Sequence, residues 1–354
     1  MKASPEERPF AERLGRMIDA GGPIPVARYM AEANAHYYAT RDPFGAGGDF
    51  TTAPEISQMF GELIGLWLAD LWARAGKPER VRYLELGPGR GTLAVDALRA
   101  MRSAGLRPEV EFVEASPVLR KAQRERLPGA RWHDDLSTIT EAGPPLLIVA
   151  NEFFDALPAR QLVATESGWR ELLVRHDAGR FLPVAGPSVG SEAIPARLRS
   201  APPGAVIEAS PASVSIVRQL AQLIARSGGA VLIADYGHDR SGVGDTLQAV
   251  ARHEYADPWW QPGERDLTVH VDFEALGAAA RAEGVRVLGP RPQGEWLDSM
   301  GISVRAEALA GTAPERREEI AEAHRRLTAP DQMGILFKTL ALVAATWPEP
   351  AGFQ

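Results

Sequence analysis

The chain has 354 residues, of which 45% are hydrophobic and 24% are charged, so it can bury a sizeable core as one elaborated domain or two. Its formal net charge of -7 argues against a broad electrostatic surface for nucleic acid. The absence of cysteine excludes disulfides, thiolate zinc sites and a cysteine nucleophile.

The start of the sequence carries no evident targeting signal. Residues 1–22 lack the apolar core of a secretory signal and hold too many acids for a transit peptide. No apolar run approaches the ~20 residues that a membrane helix needs, so no membrane span is expected. These observations predict a cytoplasmic protein.

The predicted elements begin with an N-terminal helical cap at residues 1–78. Two helices are predicted between residues 10 and 40, and a loop rich in Gly, Pro and Asp follows at residues 41–55. Apolar residues at helical spacing then predict a single helix that ends at Gly76.

From residue 81 onward, strands alternate with helices, which is typical of βαβ units and a parallel sheet. We assign residues 79–345 to this α/β core and residues 346–354 to a C-terminal tail. Seven core strands are predicted, in the stretches VRYLELG, EVEFVEAS, ARWHDD, PPLLIVANEFFD, AVLIADYGH, VRVLGP and MGILFKTLALVAA.

Two insertions interrupt this alternation. Residues 158–209 have the pattern of three antiparallel strands, with Gly168 and Gly179 at the turns. Residues 239–270 contain DPWWQPGERD, which is too rich in Pro and Trp for regular structure. This second insertion is expected to form a lid or a docking surface, and aromatic packing against the core is an equal alternative.

The stretch ELGPGRGT follows the first core strand and has glycines at every second position, Gly87, Gly89 and Gly91. A dinucleotide loop would need its third glycine where Thr92 stands, and no Lys-Ser/Thr follows at the spacing of a P-loop. The remaining pattern, E-x-G-x-G-x-G with Glu85 in the strand, resembles motif I of the seven-stranded S-adenosylmethionine-dependent methyltransferases. A dinucleotide is the less favoured alternative.

The chemistry of S-adenosylmethionine (SAM) suits this loop, because SAM has an amino-acid end, a ribose diol and a sulfonium but no phosphate. Glycines allow the backbone to contact the amino-acid end, and Glu85 is expected near its ammonium. The helix that begins near Gly91 offers free N–H groups towards the carboxylate. Glu114, which ends the second strand, is placed to accept hydrogen bonds from the ribose hydroxyls.

An acid after the third strand is expected to bind the adenine amino group, and we favour Asp134 over Asp135. The alternative is that both acids cap a helix and that Glu114 is an exposed acid at a strand end. The whole predicted cofactor set is Thr52, Pro54, Ser57, Glu85, Gly87, Pro88, Gly89, Gly91, Glu114, Ala115, Ser116, Asp134, Asp135, Asn151 and Glu152.

Several stretches occur together in the order of one family: GDFTTAPEISQMFGELIG, ELGPGRGTLAVD, VEASPVLRKAQ, NEFFDALP, ADYGH, DLTVHVDF and MGILFKTL. Between about residue 10 and residue 345 the chain resembles the MidA-like methyltransferases, which include the arginine methyltransferase that assists respiratory complex I assembly. The resemblance implies a class I, seven-stranded, Rossmann-like methyltransferase fold with SAM as cofactor.

The complex I branch of that family implies a protein acceptor, an arginine of the 49-kDa-type subunit or its bacterial counterpart, which becomes symmetrically dimethylated. A small-molecule methyltransferase and a non-catalytic assembly chaperone that retains a SAM pocket are the alternatives. A homodimer is one possible oligomeric state. The family match also favours a role for GDFTTAPEIS in closing over the cofactor or the acceptor, with glycines 45, 47 and 48 allowing it to fold over and with Thr52, Pro54 and Ser57 facing the pocket. Alternatively, Thr52 only caps a helix.

The stretch NEFFDALP ends the fourth strand, where functional residues of α/β folds gather. Bidentate carboxylates would orient a guanidinium, so we predict Glu152 as the main clamp and Asp155 as its partner. In the equal alternative, Asn151 and Glu152 hold the cofactor or cap a helix. The predicted catalytic set is Glu152, Asp155, Asp235 and His238.

A base must remove a proton from the methylated nitrogen, and the candidates are Asp235, His238, His270 and bulk water. A position in the pocket wall is favoured for Asp235. The acids and histidines at 253, 254, 270 and 272 match no familiar ligand spacing, so no metal is expected.

Overall fold

The computed structural model describes residues 9–40, 51–139, 143–251 and 254–354. The glycines at 45, 47 and 48, and His253, lie outside the described residues. The helices are α1 (Phe10–Gly21), α2 (Val26–Thr40), α3 (Ala53–Ile56), α4 (Gln58–Arg74), α5 (Thr92–Ser103), α6 (Pro117–Arg126), α7 (Pro211–Ser227), α8 (Phe273–Ala282), α9 (Gln293–Ser299), α10 (Ile302–Thr312), α11 (Arg317–Thr328) and α12 (Met333–Leu336).

The strands divide among one large sheet and two smaller ones. They are β1 (Ile24–Pro25), β2 (Arg82–Leu86), β3 (Glu109–Val113), β4 (Arg131–His133), β5 (Leu146–Asn151), β6 (Arg160–Thr165), β7 (Gly168–Asp177), β8 (Arg180–Ser188), β9 (Val206–Ala209), β10 (Gly229–His238), β11 (Gln248–Ala251), β12 (Glu254–Ala256), β13 (Asp266–Thr268), β14 (Val271–Asp272), β15 (Arg286–Pro292) and β16 (Phe337–Val343).

The large sheet has the strand order β15-β16-β10-β5-β2-β3-β4, and the short β14 pairs with the end of β10. These are the seven predicted core strands, and the α/β prediction is confirmed. The sheet is not wholly parallel, because β16 runs antiparallel to both of its neighbours. The strands β2, β5 and β10 are buried on both faces, which explains their continuous apolar sequences.

Helices cover both faces of the large sheet. One face packs against α4, α5 and the C-terminal helices α9–α11, and the other packs against α7 and α8. The sequence did not predict α9 and α10. The seven residues of α9 are too few for a clear helical period, and the burial of Trp296 and Leu297 against the sheet stabilises this helix instead.

The helix predicted up to Gly76 is interrupted. Ser57 has an extended backbone, which separates α3 from α4, and its hydroxyl accepts the N–H of Met59 at 3.2 Å. Ser57 therefore caps α4. Because α4 packs against α5 within the core of the large sheet, only α1 and α2 form a separate cap.

A second lobe joins the cap to both insertions. Side chains of α1 and α2 share one hydrophobic cluster with Val174 of β7, Phe181 of β8 and Leu267 of β13. Residues 158–209 form the predicted antiparallel strands, and β9 extends that sheet. The second insertion differs from the expectation of irregular structure, because β11, β12 and β13 form a sheet around the irregular DPWWQPGER stretch. Strands of three or four residues are too short to show a period.

Aromatic residues of the second insertion point in two directions. Trp259 packs against Tyr29 of α2 with 5.4 Å between ring centroids, whereas Tyr255 and Trp260 are 82% and 55% exposed. The insertion therefore packs Trp259 against the cap helix α2 and turns Tyr255 and Trp260 outward, and a lid or docking role stays a prediction. Throughout the described part of the chain, no helix is both long and apolar enough to cross a membrane.

The close packing of α4 against α5 can be tested by adding a methyl group at Gly65. A Cβ added at Gly65 would lie 2.3 Å from the carbonyl oxygen of Ala97, whereas one added at Gly311 of α10 would meet nothing within 4 Å. We expect Gly65→Ala to lower the free energy of unfolding by about 1–3 kcal/mol, since backbone must move to relieve the clash. Gly311→Ala should raise it by up to about 1 kcal/mol. Urea unfolding measures both, and equal stability of the two variants would contradict the packing.

Candidate active site

A cavity of about 810 Å³ lies at the carboxyl ends of β2, β3 and β5, between the large sheet and α2. Eight of the predicted site residues line it: Gly87, Gly89, Glu114, Ala115, Ser116, Asp134, Asp135 and Glu152. Sequence reasoning missed the other contributors. Those discussed below come from α2, α7 and the loop after β5, and they are Asn34, Phe153, Leu157 and Ile216.

The glycine loop needs its glycines. Gly87, Gly89 and Gly91 all have left-handed backbone conformations, with φ of 58°, 54° and 79°. A Cβ added at Gly87 would lie only 2.9 Å from the ring of Phe153, so this glycine also lets the loop after β5 approach. Gly91 occupies the N-cap position of α5. Pro88 and Gly91 shape the turn but do not line the cavity.

Glu114 lines the cavity from the end of β3. One carboxylate oxygen accepts the N–H of Ser116 at 2.8 Å, and the other accepts the amide of Gln123 at 3.2 Å. The same amide nitrogen of Gln123 donates to the carbonyl of Gly89 at 2.7 Å. Gln123 thus ties the glycine loop to Glu114, and no sequence signal marked it. Burial raises the pKa of Glu114.

The two acids after β4 differ in their contacts. Asp134 is 83% exposed at its side chain and pairs with Arg120 at 2.5 Å. Asp135 accepts the N–H of Ser137 at 2.7 Å and caps the 3₁₀ helix at residues 136–138, as the alternative interpretation expected. Both acids line the cavity, and the preference for Asp134 as the adenine partner stays a prediction.

Glu85 lies on the other face of its strand. Alternate residues of a strand share a face, and Tyr83, two positions earlier, packs in the cluster beneath α4 and α5. The Tyr83 hydroxyl donates to the Glu85 carboxylate at 2.5 Å, and burial raises the pKa of Glu85 to about 7. Glu85 is therefore not part of the cavity lining, and its expected position next to the cofactor ammonium stays a prediction.

The segment before α4 reaches the site through its backbone. Thr52, Pro54 and Ser57 do not line the cavity, because Thr52 and Pro54 are buried at the start of α3 and Ser57 caps α4. The N–H of Ala53 instead donates to Glu152 Oε1 at 2.9 Å. Closure of this segment over the cofactor stays a prediction.

Glu152 is held in an unusual conformation at the end of β5. Its φ is 48°, its N–H donates to Ala234 at 2.8 Å, and its Oε1 also accepts the Asn151 amide at 3.2 Å. Asn151 itself does not line the cavity. Burial is the main cause that raises the pKa of Glu152 to about 7, and the neighbouring Asp155 raises it further.

Two more acids lie behind Glu152. Asp155 is 6% exposed, bonds to Tyr236, and has a pKa that burial raises to about 6. Asp235 is fully buried, and its pKa is raised well above the ordinary value by burial and by the charges of Asp155 and Glu152. Neither acid lines the cavity: Asp155 accepts a hydrogen bond from Tyr236, and the N–H groups of Phe153 and Phe154 lie against the carboxylate of Asp235.

Within the described ranges no Lys or Arg forms an ion pair with Glu152, Asp155 or Asp235, although the charge of Arg326, beyond ion-pair distance, lowers the pKa of Glu152. His238 lies at the end of β10, with its ring centroid 6.4 Å from that of His270, and it is also absent from the cavity lining. Its proton-transfer role stays a prediction. Among the residues described, no group of His, Asp or Glu is arranged to hold a metal ion.

A family model described as "Putative S-adenosyl-L-methionine-dependent methyltransferase" matches residues 63–291. The chain belongs to this family. Like the other members, it is a methyltransferase that uses SAM as its cofactor.

Relatives and a solved structure agree with this assignment. The chain is 38% identical to "Protein arginine methyltransferase NDUFAF7 homolog, mitochondrial" of Drosophila melanogaster, over 96% of this chain and 86% of the relative. It is 35% identical to "Protein arginine methyltransferase NDUFAF7, mitochondrial" of Homo sapiens, over 96% and 85%. A Burkholderia thailandensis protein bound to S-adenosyl-homocysteine superposes with a TM-score of 0.86, at 30% identity over 97% of this chain and 93% of that one.

These relatives correct the expected location. The prediction of a cytoplasmic protein is wrong by this comparison, because both curated relatives are named as mitochondrial. That prediction rested on the lack of a recognisable signal, and a missing signal is weak evidence for any compartment.

The cavity residues fit SAM. The volume lies in the range of about 300–1,000 Å³ for small-molecule sites. The glycine loop leaves the space that a Cβ at Gly87 would fill, Glu114 presents carboxylate oxygens as hydrogen-bond acceptors, and Leu157 and Ile216 supply apolar walls. Glu114 and the glycine loop would hold the ribose and the amino-acid end.

The role of Glu114 can be tested by Glu114→Gln. The amide keeps one acceptor oxygen, but its NH₂ would face the donating amide of Gln123. We expect S-adenosylhomocysteine to bind roughly 10- to 100-fold more weakly, or about 1.4–2.8 kcal/mol, the range for hydrogen bonds to a charged group. Glu125→Gln, at an exposed position of α6, is the matched control and should change the calorimetric Kd less than about twofold. Equal affinities of the two variants would contradict a ribose contact.

Proposed function

We propose that this chain transfers the methyl group of SAM to a guanidinium nitrogen of an arginine in a protein. The observation that carries the proposal is the position of the Glu152 carboxylate, which lines the same cavity as Glu114 and forms no ion pair with a Lys or Arg in the described part of the chain. The names of the curated relatives, which are protein arginine methyltransferases, support the same acceptor.

Glu152 is the group that would contact the acceptor. Its Oε1 is already bonded to Ala53 and Asn151, so Oε2 is the oxygen free among the described residues to accept a guanidinium N–H. A guanidinium is always cationic, and its charge would lower the pKa of Glu152 and keep the carboxylate ionised. Asp155 is buried behind the loop, and we assign it the supporting charge rather than the second direct contact.

SAM, when bound, supplies a methyl group on a positively charged sulfur. The chain positions the acceptor nitrogen for in-line attack on that methyl group, and the apolar side chains of Phe153, Leu157 and Ile216 exclude water from the reacting atoms. The methylated nitrogen must then lose a proton. Of the three clustered acids, Glu152 is the one whose carboxylate lines the cavity, and in its ionised form it can accept that proton.

The acceptor protein that we propose is the 49-kDa-type subunit of respiratory complex I, with methylation aiding assembly. The support is the family resemblance together with the names of the relatives. The outward aromatic side chains of Tyr255 and Trp260 suit a protein acceptor better than a metabolite. A homodimer stays a prediction.

Glu152→Gln separates the acceptor role from the cofactor role. Gln keeps an oxygen for the Ala53 N–H but loses the charge, so we expect kcat to fall by at least about 100-fold. The Kd of S-adenosylhomocysteine should change less than about threefold by calorimetry, since the Glu114 contacts remain. Glu166→Gln, at an exposed turn of the β6–β7 hairpin, is the control and should match the wild type in both measurements. A collapse of cofactor binding in Glu152→Gln would reassign Glu152 to the cofactor.

The acceptor class is tested by incubating the chain with methyl-labelled SAM and cell extract. We expect label in one protein band, and mass spectrometry should place the methyl group on an arginine. Label confined to the small-molecule fraction would support the metabolite alternative. Absence of any label, with intact S-adenosylhomocysteine binding, would support a non-catalytic chaperone. Glu152→Gln is the blank for this experiment.

A further inference from the structure

One buried carboxylate, that of Asp235, accepts hydrogen bonds from backbone N–H groups within residues 152–155, which we call the acid loop. Asp235 Oδ2 accepts the N–H groups of Phe153, Phe154 and Asp155 at 3.1, 2.9 and 3.4 Å. Its other oxygen, Oδ1, accepts the N–H of Tyr236 at 2.9 Å. Three consecutive N–H groups that converge on one anion form a backbone nest, and here the protein supplies the anion itself.

The side chains of this loop lie in different surroundings. Glu152 and Phe153 line the cavity, and the Phe153 ring is the group that a Cβ at Gly87 would meet. Phe154 is 1% exposed in the hydrophobic cluster beneath α7, and Asp155 is buried against Tyr236. Because side chains on successive residues point in such different directions, a small rotation of the loop would misplace all of them.

Glu152 depends on this anchoring most directly. A non-glycine residue with φ of 48° is uncommon, and such a conformation persists only where its surroundings fix it. Strand β10 fixes it on both sides: Ala234 accepts the N–H of Glu152, and Asp235 accepts the three N–H groups that follow. Consecutive residues of one buried strand thereby set the backbone of the proposed acceptor-binding acid.

We infer that Asp235 is a positioning residue for methyl transfer, which acts by holding residues 152–155 so that Glu152 faces the acceptor. This assignment replaces the predicted catalytic role, because the covered carboxylate does not reach the cavity. The inference rests on the proposed role of Glu152. A purely structural role for Asp235 makes a different prediction, namely lower stability with normal turnover of the folded fraction.

Asp235→Asn is the variant of choice because it keeps the shape of the side chain. Its amide has one acceptor oxygen where the carboxylate has two, so either the loop or Tyr236 loses its partner. We expect kcat to fall roughly 10- to 100-fold, the effect of a displacement of about 1 Å at a reacting group. The KM for SAM and the Kd of S-adenosylhomocysteine should stay within about threefold, because the Glu114 contacts are untouched.

Thr339→Val is the matched control. Thr339 is fully buried on β16 opposite Ala234, and its hydroxyl donates to Arg291 at 3.3 Å, away from the loop. It should lower stability with kcat unchanged. Equal kcat losses in Asp235→Asn and Thr339→Val would overturn the positioning role.

A double-mutant cycle tests whether Asp235 acts through Glu152. If it does, Asp235→Asn combined with Glu152→Gln should be no slower than Glu152→Gln alone, within about threefold, in single-turnover assays with labelled SAM. Multiplied losses would contradict action through Glu152. The assay uses whichever acceptor takes the label, so a non-arginine acceptor would defeat the proposed function without defeating this inference.

A wild-type measurement covers the case in which Asp235→Asn does not fold. Phe153-Phe154 is the one Phe-Phe pair in the sequence, so dual carbonyl-¹³C and amide-¹⁵N labelling of phenylalanine gives a single correlated signal, from the Phe154 amide. We expect this amide proton to exchange slowly and to resonate downfield, as a donor to a carboxylate should. Fast exchange would refute the anchoring, whatever the acceptor is.

Discussion

The structure depends on burying three carboxylates at the ends of β5 and β10 with no ion pair to a Lys or Arg among the described residues. An ionised acid is costly to bury, and Glu152, Asp155 and Asp235 each add to the others' cost through repulsion. The protein offsets this with backbone donors, each hydrogen bond to a charged group contributing about 1.5–3 kcal/mol. Supplying those donors requires a tight loop that places Glu152 in a left-handed conformation.

The acid loop must be held in place, and the cap and the second insertion contribute hydrogen bonds that hold it. Asn34 of α2 donates to the carbonyls of Ala156 and Leu267 at 3.0 and 2.7 Å and accepts the Leu267 N–H at 3.0 Å. The N–H of Val269 donates to the carbonyl of Asp155 at 3.0 Å. Asn34, which lines the cavity, is thereby linked by hydrogen bonds both to Ala156, directly after the acid loop, and to Leu267 of the β11–β13 sheet.

Sequence alone predicted what short-range patterns encode. Apolar runs predicted the seven core strands. The spacing of the glycines and of the strand ends predicted the glycine loop and Glu114, and Gly87, Gly89 and Glu114 line one cavity. It could not predict that Glu85 bonds to Tyr83 on the face that packs against α4 and α5, or that α2 supplies Asn34. Gln123 likewise carries no local mark, since its importance comes from contacts to Gly89 and Glu114 across the fold. Such roles are set by tertiary packing.

The negative charge of the cavity wall suits the proposed reaction, because that reaction brings two cations together. A sulfonium and a guanidinium repel each other, and the repulsion grows as water is excluded. Acids on the cavity wall would oppose this repulsion: in the proposed arrangement Glu114 and Asp134 face the cofactor, and Glu152 faces the acceptor with Asp155 and Asp235 behind it. An arginine or lysine in ion-pair contact with Glu152 would neutralise its charge before the acceptor arrived. The described hydrogen-bond donors to these carboxylates carry no net charge. They stabilise Glu152 and Asp235 as anions and leave the negative charge of Glu152 available to an incoming cation.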